Sequence, residues 1–338
     1  VKSFVFVVGF DFVALAKRAR PTDYSVYAAS RMRTLVRQAK AKDELRFIVC
    51  NVAKGTLETT VSSVKSGRRV QAVTTRRPFK AITSAMYRSD AHFRTGNVSG
   101  TWTAPDVYHQ VQELGRQHPG SLRELSVFSH AWFGGPILVN SDEPPGHTSQ
   151  SRHVHDVDMR AKDFENANMD KVTKARFRSA WAPGGHSWIW GCTAFPNARA
   201  FLQAVHSHPK FPFVGLSDAD PIEFSEKVTK QARDGARALL HPVTVPRFGA
   251  FTVTRADLES GLCRTVVGAY GAALARGSDR PVFAALPGST ALLRGGSKAT
   301  MFIPPAYRRT VDVYRKVLGI RTDPEGGLYG RLEPSLTC

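Results

Sequence analysis

The chain has 338 residues, 42% of them hydrophobic, which is enough for a core and excludes a largely disordered protein. The formal net charge is +19, and residues 1–120 carry 20 Lys/Arg against 8 Asp/Glu, a balance that attracts polyanions. No run approaches the ~18–20 apolar residues that span a bilayer. Four scattered cysteines without a CxxC pair argue against a disulfide scaffold and against structural zinc.

Residues 4–8 are a continuous apolar, β-branched run, as in a strand buried on both faces. They run into Gly9-Phe-Asp11 without a basic flank or cleavage site, so a strand rather than a signal peptide is expected. Residues 24–40 follow with helical spacing, and 45–50 form a second strand. The polar stretch 55–100 is expected to hold a β-hairpin or a surface insertion. A helix over 107–117 precedes a third strand over 125–128. The segment 140–165, with a turn at Pro144-Pro-Gly146, is expected to be a solvated polar loop.

A short helix over 171–180 leads to a fourth strand over 187–190, then a helix over 197–206 and a fifth strand over 211–216. Paired strands are expected over 238–254. One apolar helix is expected over 257–276, capped by Thr254 with Asp257 three residues on. A strand over 281–286, a helix over 307–318 and a Gly/Pro-rich tail complete the chain. This alternation predicts an α/β fold, a mainly parallel sheet with helices on both faces. Residues 1–220 are expected to form its core, and 221–338 a C-terminal extension or subdomain completing the sheet.

In open α/β sheets, ligands bind at the carboxyl ends of the strands. This chain puts Asp11 after the first strand, Asn51 after the second, His130 after the third, Cys192 after the fourth and Asp218 after the fifth. Cys192 is the candidate nucleophile, since a thiolate attacks carbonyls and a nearby imidazolium or helix N-terminus favours it. His130, 62 residues earlier, is the candidate base or acid. Gly134, Gly135 and Gly191 let backbone N–H groups approach an oxyanion. Trp132 stands two residues past His130, placed to line a substrate cleft, while Trp188 and Trp190 face one side of the fourth strand and suit core packing. The plainer alternatives are a buried thiol beside a glycine turn and a structural histidine.

Other motifs fall short. His153-Val-His155-Asp156-Val-Asp158 offers metal-type ligands without a full set or spacing, and no metal or cofactor is expected. Gly185-His-Ser187 begins a GxSxG elbow, but Ile189 stands where glycine is required. Gly295-Gly296-Ser-Lys298 lacks the spaced glycine of a phosphate loop. Cys50 and Cys263 read as small core residues and Cys338 as a mobile terminus.

The order strand, helix, strand, helix, strand–His, helix, strand–Cys over residues 1–220 resembles the caspase-like (clan CD type) cysteine peptidases, a group that includes gingipain-type and clostripain-type enzymes, CHAT domains and self-cleaving toxin domains. The resemblance implies a caspase-like three-layer sandwich. It also implies Cys192 as nucleophile, His130 as base or acid, and oxyanion donors around Gly134 or Gly135. A substrate pocket would form from strand ends and the loop containing Ser289, with Asp11 reading a basic side chain or orienting His130. The family's Gly after the His is Ala131 here, and its QACxG segment is replaced by Ile-Trp-Gly-Cys-Thr. The expected function is a cysteine-dependent hydrolase acting on a peptide or protein substrate, in a toxin or effector setting. The alternative is a basic polyanion-binding module or an inactive caspase-like domain, with a polyanion contact through the N-terminal region. Localisation stays open between a soluble protein and an effector exported without a Sec-type leader.

Overall fold

Side-chain alternation in the first strand sets the layers. The computed structural model describes residues 1–65, 67–141, 150–195 and 197–338, so the expected turn at Pro144-Pro-Gly146 lies outside it. In β1 (Lys2–Val8), Val5 and Val7 point into one apolar cluster, while Phe4, Phe6 and Val8 point into another. Successive residues of a strand face opposite sides, so a strand buried on both must be apolar throughout. The chain continues through α1 (Phe12–Ala16), α2 (Ser25–Gln38), β2 (Glu44–Asn51), β3 (Thr56–Lys65) and β4 (Arg68–Pro78). Next come α3 (Ala104–Gln117), β5 (Leu122–Phe128), β6 (His130–Trp132), β7 (Gly135–Ile137), α4 (Lys171–Ser179), β8 (Trp181–Ile189) and α5 (Ala198–His206). The remainder is β9 (Pro221–Phe224), α6 (Lys230–Leu240), β10 (Phe251–Thr254), α7 (Arg255–Gly268), α8 (Tyr270–Ser278), β11 (Val282–Ala284), β12 (Leu292–Arg294), β13 (Thr300–Phe302), α9 (Arg308–Leu318) and β14 (Gly330–Leu332).

Eight strands form one sheet in the order β14-β11-β8-β5-β1-β2-β3-β4. The five strands from β11 to β2 are mutually parallel, and antiparallel pairs lie only at the two ends. The expected α/β fold with a mainly parallel sheet is therefore present. One face is covered by α2 and β13, through Tyr27, Ala28, Val36 and Met301. The other is covered by most of the remaining helices, through residues such as Val107, Phe177, Leu202, Leu262 and Tyr314. Both β11 and β14 come from beyond residue 220 and join the same sheet. No helix among the described residues is long and apolar enough to cross a membrane.

A buried ion pair ties α2 to the sheet. Glu124 lies on β5, 1% exposed, and receives Arg31 Nε at 3.0 Å and Nη2 at 2.8 Å, with Ser126 Oγ at 2.6 Å. Arg31 also reaches Glu325 in the tail at 2.7 Å and lies over the stacked rings of Trp188 and Trp190. Burial alone would raise the Glu124 carboxyl, but His186 and Arg31 hold it down at about 2. Trp188 and Trp190 thus serve the core, as their alternation suggests.

Six sequence expectations need correction. Residues 211–216 form turns rather than a strand, because Pro212 and Gly215 interrupt the apolar run. Asp218 therefore follows no strand of the main sheet; its carbonyl accepts the N–H of Ala256, and β9 pairs only with β10. The paired strands expected over 238–254 give way to α6, started by the Thr229 cap and buried through Ala232, Ala236, Leu239 and Leu240, with β10 alone surviving. The helix expected over 257–276 begins with the Thr254–Asp257 capping box but breaks at Ala269, which is extended, into α7 and α8. Cys263 and Cys338 form a disulfide that anchors the C-terminus to α7. Finally, the segment around 150–163 is not a solvated loop. Asp156, Asp158 and Asp163 are buried there, compensated by Arg152 and Arg160.

Removing one member of a buried pair strands the other charge, at a cost of about 3–5 kcal/mol. Arg31→Met is therefore expected to lower unfolding free energy by that amount in a urea titration, and Arg31→Lys by less. Because the Glu124 carboxyl is depressed from 4.5 to about 2, its contribution is full above pH ~4.5 and fades as pH falls towards 2. Acid titration of the wild type should show that loss, and Glu124→Gln should flatten it.

Candidate active site

The carboxyl edge of the parallel strands gathers Asp11, Asn51, His130 and Cys192, which follow or end β1, β2, β5 and β8. The residues after β5 and β8 run side by side. Val127 pairs with Ile189, the N–H of Trp190 donates to the Val127 carbonyl at 3.0 Å, and Trp132 bridges to Ala194. Between them Gly191 lies hard against the histidine strand. A Cβ on it would stand 2.5 Å from Ala131 Cβ and 2.8 Å from the Ser129 carbonyl oxygen. Only glycine fits, and Cys192 follows it directly.

His130 is held from three sides. Its Nε2 lies 2.7 Å from Asp11 Oδ1, and its ring meets Phe12 and Tyr24 edge-on at 5.2 and 5.7 Å between centroids. Asp11 is buried and also accepts the N–H of Thr22 at 2.9 Å and, as the cap of α1, that of Ala14 at 3.4 Å. Burial alone would raise its carboxyl, but the His130 and Thr22 hydrogen bonds outweigh it and hold it well below the usual carboxylate range. An ionised carboxylate only accepts, so His130 Nε2 carries a proton, and Nδ1 is the nitrogen left for a second partner. Of the two roles expected for Asp11, contact with His130 is the one the geometry provides.

Cys192 is engaged elsewhere. Its Sγ accepts the N–H of Ala291 at 3.3 Å and lies 3.7 Å from the Ala291 carbonyl oxygen. Burial pushes its thiol above the ordinary value, against a smaller lowering by the Ala291 N–H. No hydrogen bond joins Cys192 to His130. The two share a neighbour in Tyr24, buried at the start of α2. Burial raises the Tyr24 phenol far above its usual range, and the Asp11 carboxylate, with Cys192 once it ionises, raises it further. Next to Cys192, Thr193 is tied through both its backbone groups to Gly288 and Ser289. Its N–H donates to the Ser289 carbonyl, and its own carbonyl accepts the N–H of Gly288.

The other candidates are distributed around this centre. Phe133 and Gly134 form the β6–β7 turn and Gly135 opens β7; Trp132 folds its indole back over Gly134, and Gly135 has φ +143° against the Met159 carbonyl. Trp132 is 48% exposed, with the Arg160 guanidinium over its ring. A narrow, largely apolar cavity runs from Trp132 and Gly135 past Cys192 and Thr193 to Tyr270 and Leu286. Asn51 is spent on its own turn, accepting the N–H of Lys54 at 2.9 Å. Ser289 is buried, and its hydroxyl has no hydrogen-bond partner among the described residues. Asp218, on the loop before β9, is not among the residues that follow the parallel strands. The His153 and His155 rings meet at a tilt, 5.2 Å between centroids, and their neighbours Asp156 and Asp158 serve Arg160 and the backbone N–H groups of Leu138, Val139 and Ser141.

Sequence reasoning missed Tyr24 and Ala291. Tyr24 reads as one more apolar position opening an amphipathic helix, and Ala291 acts through its backbone, which no side-chain pattern announces.

No protein-family model matches the chain, and no curated protein matches it. Among solved structures, a secreted C11 cysteine protease from Bacteroides thetaiotaomicron, crystallised with an irreversible peptide inhibitor, is similar to it. The identity is 10%, over 79% of this chain and 70% of that one, with a TM-score of 0.29. A likeness of that size assigns no residue a role.

Because burial keeps Cys192 protonated at neutral pH, alkylation by iodoacetamide should be slow at pH 7 and climb through and beyond pH 9. Ala291→Pro removes the N–H that holds the sulfur and is expected to speed alkylation several-fold at pH 8. Peptide mapping of the adduct checks this, with the fully buried Cys50 as internal control. An unchanged rate, with the variant folded, would show that Ala291 does not shield the thiol.

Proposed function

We propose that the chain is a cysteine-dependent hydrolase, most simply a peptidase, with Cys192 as nucleophile and His130 as its base and later its acid. The observation that carries this reading is the tie between His130 and an ionised Asp11, one strand away from a cysteine brought alongside by Gly191. A carboxylate that fixes the tautomer and orientation of an imidazole is the arrangement that activates a nearby nucleophile.

The steps follow from the side chains. His130 Nδ1 takes the proton of the Cys192 thiol as sulfur adds to the substrate carbonyl carbon. The resulting imidazolium is stabilised by Asp11. It returns the proton to the leaving amine as the thioester forms; water, deprotonated by the same ring, then adds to the thioester carbon, and the departing Cys192 sulfur takes that proton back as the acid is released. Since burial keeps the thiol neutral, this is activation by a base rather than a standing ion pair. The N–H groups of Gly191 and Cys192 make no hydrogen bond to another described residue. They are better suited as oxyanion donors than Gly134 and Gly135, which the β6–β7 turn carries away from His130. Trp132, half exposed beside the edge, would line an apolar part of the substrate, and the backbone around Ser289 would support its chain. The contact of Cys192 with Ala291 requires that segment to shift before substrate enters. The caspase-like resemblance and a peptide or protein substrate belong to this same reading, and a toxin or effector setting is compatible with it.

A second reading has its own observation. With Sγ held by Ala291 and no hydrogen bond to His130, the chain also suits a caspase-like domain without turnover. Incubation with a diverse peptide mixture, followed by mass spectrometry, separates the two. Turnover should vanish in Cys192→Ala and fall by about 10²–10⁴ in His130→Ala, the usual worth of a general base. Asp11→Asn should fall markedly with the fold kept, since it frees the wrong tautomer. Equal product from wild type and Cys192→Ala would leave the non-catalytic reading.

A further inference from the structure

The strand β4 ends the sheet, and among the described residues nothing pairs with its outer side. It is 11 residues long, and all of them except Val70 are exposed, on both faces. In an antiparallel pair, alternate residues turn N–H and C=O away from the partner strand. The outer edge of β4 therefore offers a row of open donors and acceptors, a template for another extended chain. Proline stands only at its last position, Pro78, and the irregularity at Gln71, where φ is +52°, leaves residues 73–77 regular.

Charge decides what can use that template. Arg68 and Arg69 lie at one end and Arg76 and Arg77 at the other, around an uncharged centre rich in Val and Thr. Arg76 pairs with Glu58 across the hairpin, whereas Arg68, Arg69 and Arg77 have no carboxylate partner among the described residues. Antiparallel pairing of two copies of β4 would set Arg68 and Arg69 opposite Arg77 and Arg76. Like charges directly opposite are destabilising, so a second copy is the wrong occupant.

We propose that the outer edge of β4 is a docking site for an extended acidic segment of another protein, which adds as a further strand. Its occupant carries Asp or Glu at both ends of a β-branched centre. The two arginine pairs lie about 23 Å apart at ~3.3 Å per residue, which matches a segment of roughly nine residues. Main-chain hydrogen bonds supply affinity, and the arginines supply direction and choice. This site is remote in sequence from His130 and Cys192 and is independent of whether they catalyse.

The probe is a fluorescent peptide of about nine residues, with alternating Thr and Val flanked by Asp and Glu, titrated with the full chain at ~0.1 M salt and followed by anisotropy. Saturable binding is expected. N-methylation of alternate residues on the pairing side of the peptide should weaken it at least tenfold, and the same change on the opposite side much less. Replacing Arg68, Arg69, Arg76 and Arg77 by Ser should weaken it at least tenfold with circular dichroism unchanged. Equal loss for both N-methylated peptides, or equal competition by heparin and a scrambled acidic peptide, would mean a polyanion contact without strand addition and would overturn the proposal. So would absence of binding, or a concentration-dependent dimer in sedimentation that Arg-to-Ser replacement strengthens.

Discussion

The close approach of Gly191 to the backbone of Ser129–Ala131 is the constraint on which the candidate site depends. Parallel pairing of β5 with β8 brings the strands to the same edge in register, Val127 beside Ile189. The chain must then pass the histidine strand at a distance no side chain permits. Because Gly191 allows that passage, Cys192 emerges beside the segment that carries His130. A wider crossing would send the cysteine to a different part of the edge, whatever the sequence on either side.

Two anchors hold opposite halves of this arrangement. Asp11, pinned by Thr22 and by the first turn of α1, fixes the histidine ring. Ala291, in the segment after β11, fixes the sulfur. On the proposed reading, the first anchor orients the base and the second covers the nucleophile. Tyr24 belongs to both halves, and it comes from α2, the helix that the Arg31–Glu124 pair fastens to β5.

The parallel strands were legible because burial on both faces demands unbroken apolar runs, as in residues 4–8 and 125–128. Their carboxyl ends followed from topology, which is why Asp11, His130 and Cys192 could be expected at one edge, where the structure places them. The same reasoning failed at Asp218, where an apolar run containing Pro212 and Gly215 resembles a strand in composition but cannot keep a ladder. It also failed over 150–163, where acidic residues that look solvated are buried because two arginines and several backbone N–H groups meet them. Contacts made by backbone atoms, such as Ala291 on Cys192, leave no trace in side-chain pattern. Nor does a disulfide between residues 75 positions apart, Cys263 and Cys338.

The most direct measurement is covalent capture of Cys192 by a peptide bearing a thiol-reactive carbonyl, read by intact mass and peptide mapping at pH 7.5. The account predicts a single adduct on Cys192, formed far faster than with a small alkylating agent, and slowed by about 10² or more in His130→Ala, where the base is missing. Equal capture in wild type and His130→Ala, or a peptide reagent no faster than the small one even in Ala291→Pro, would contradict it.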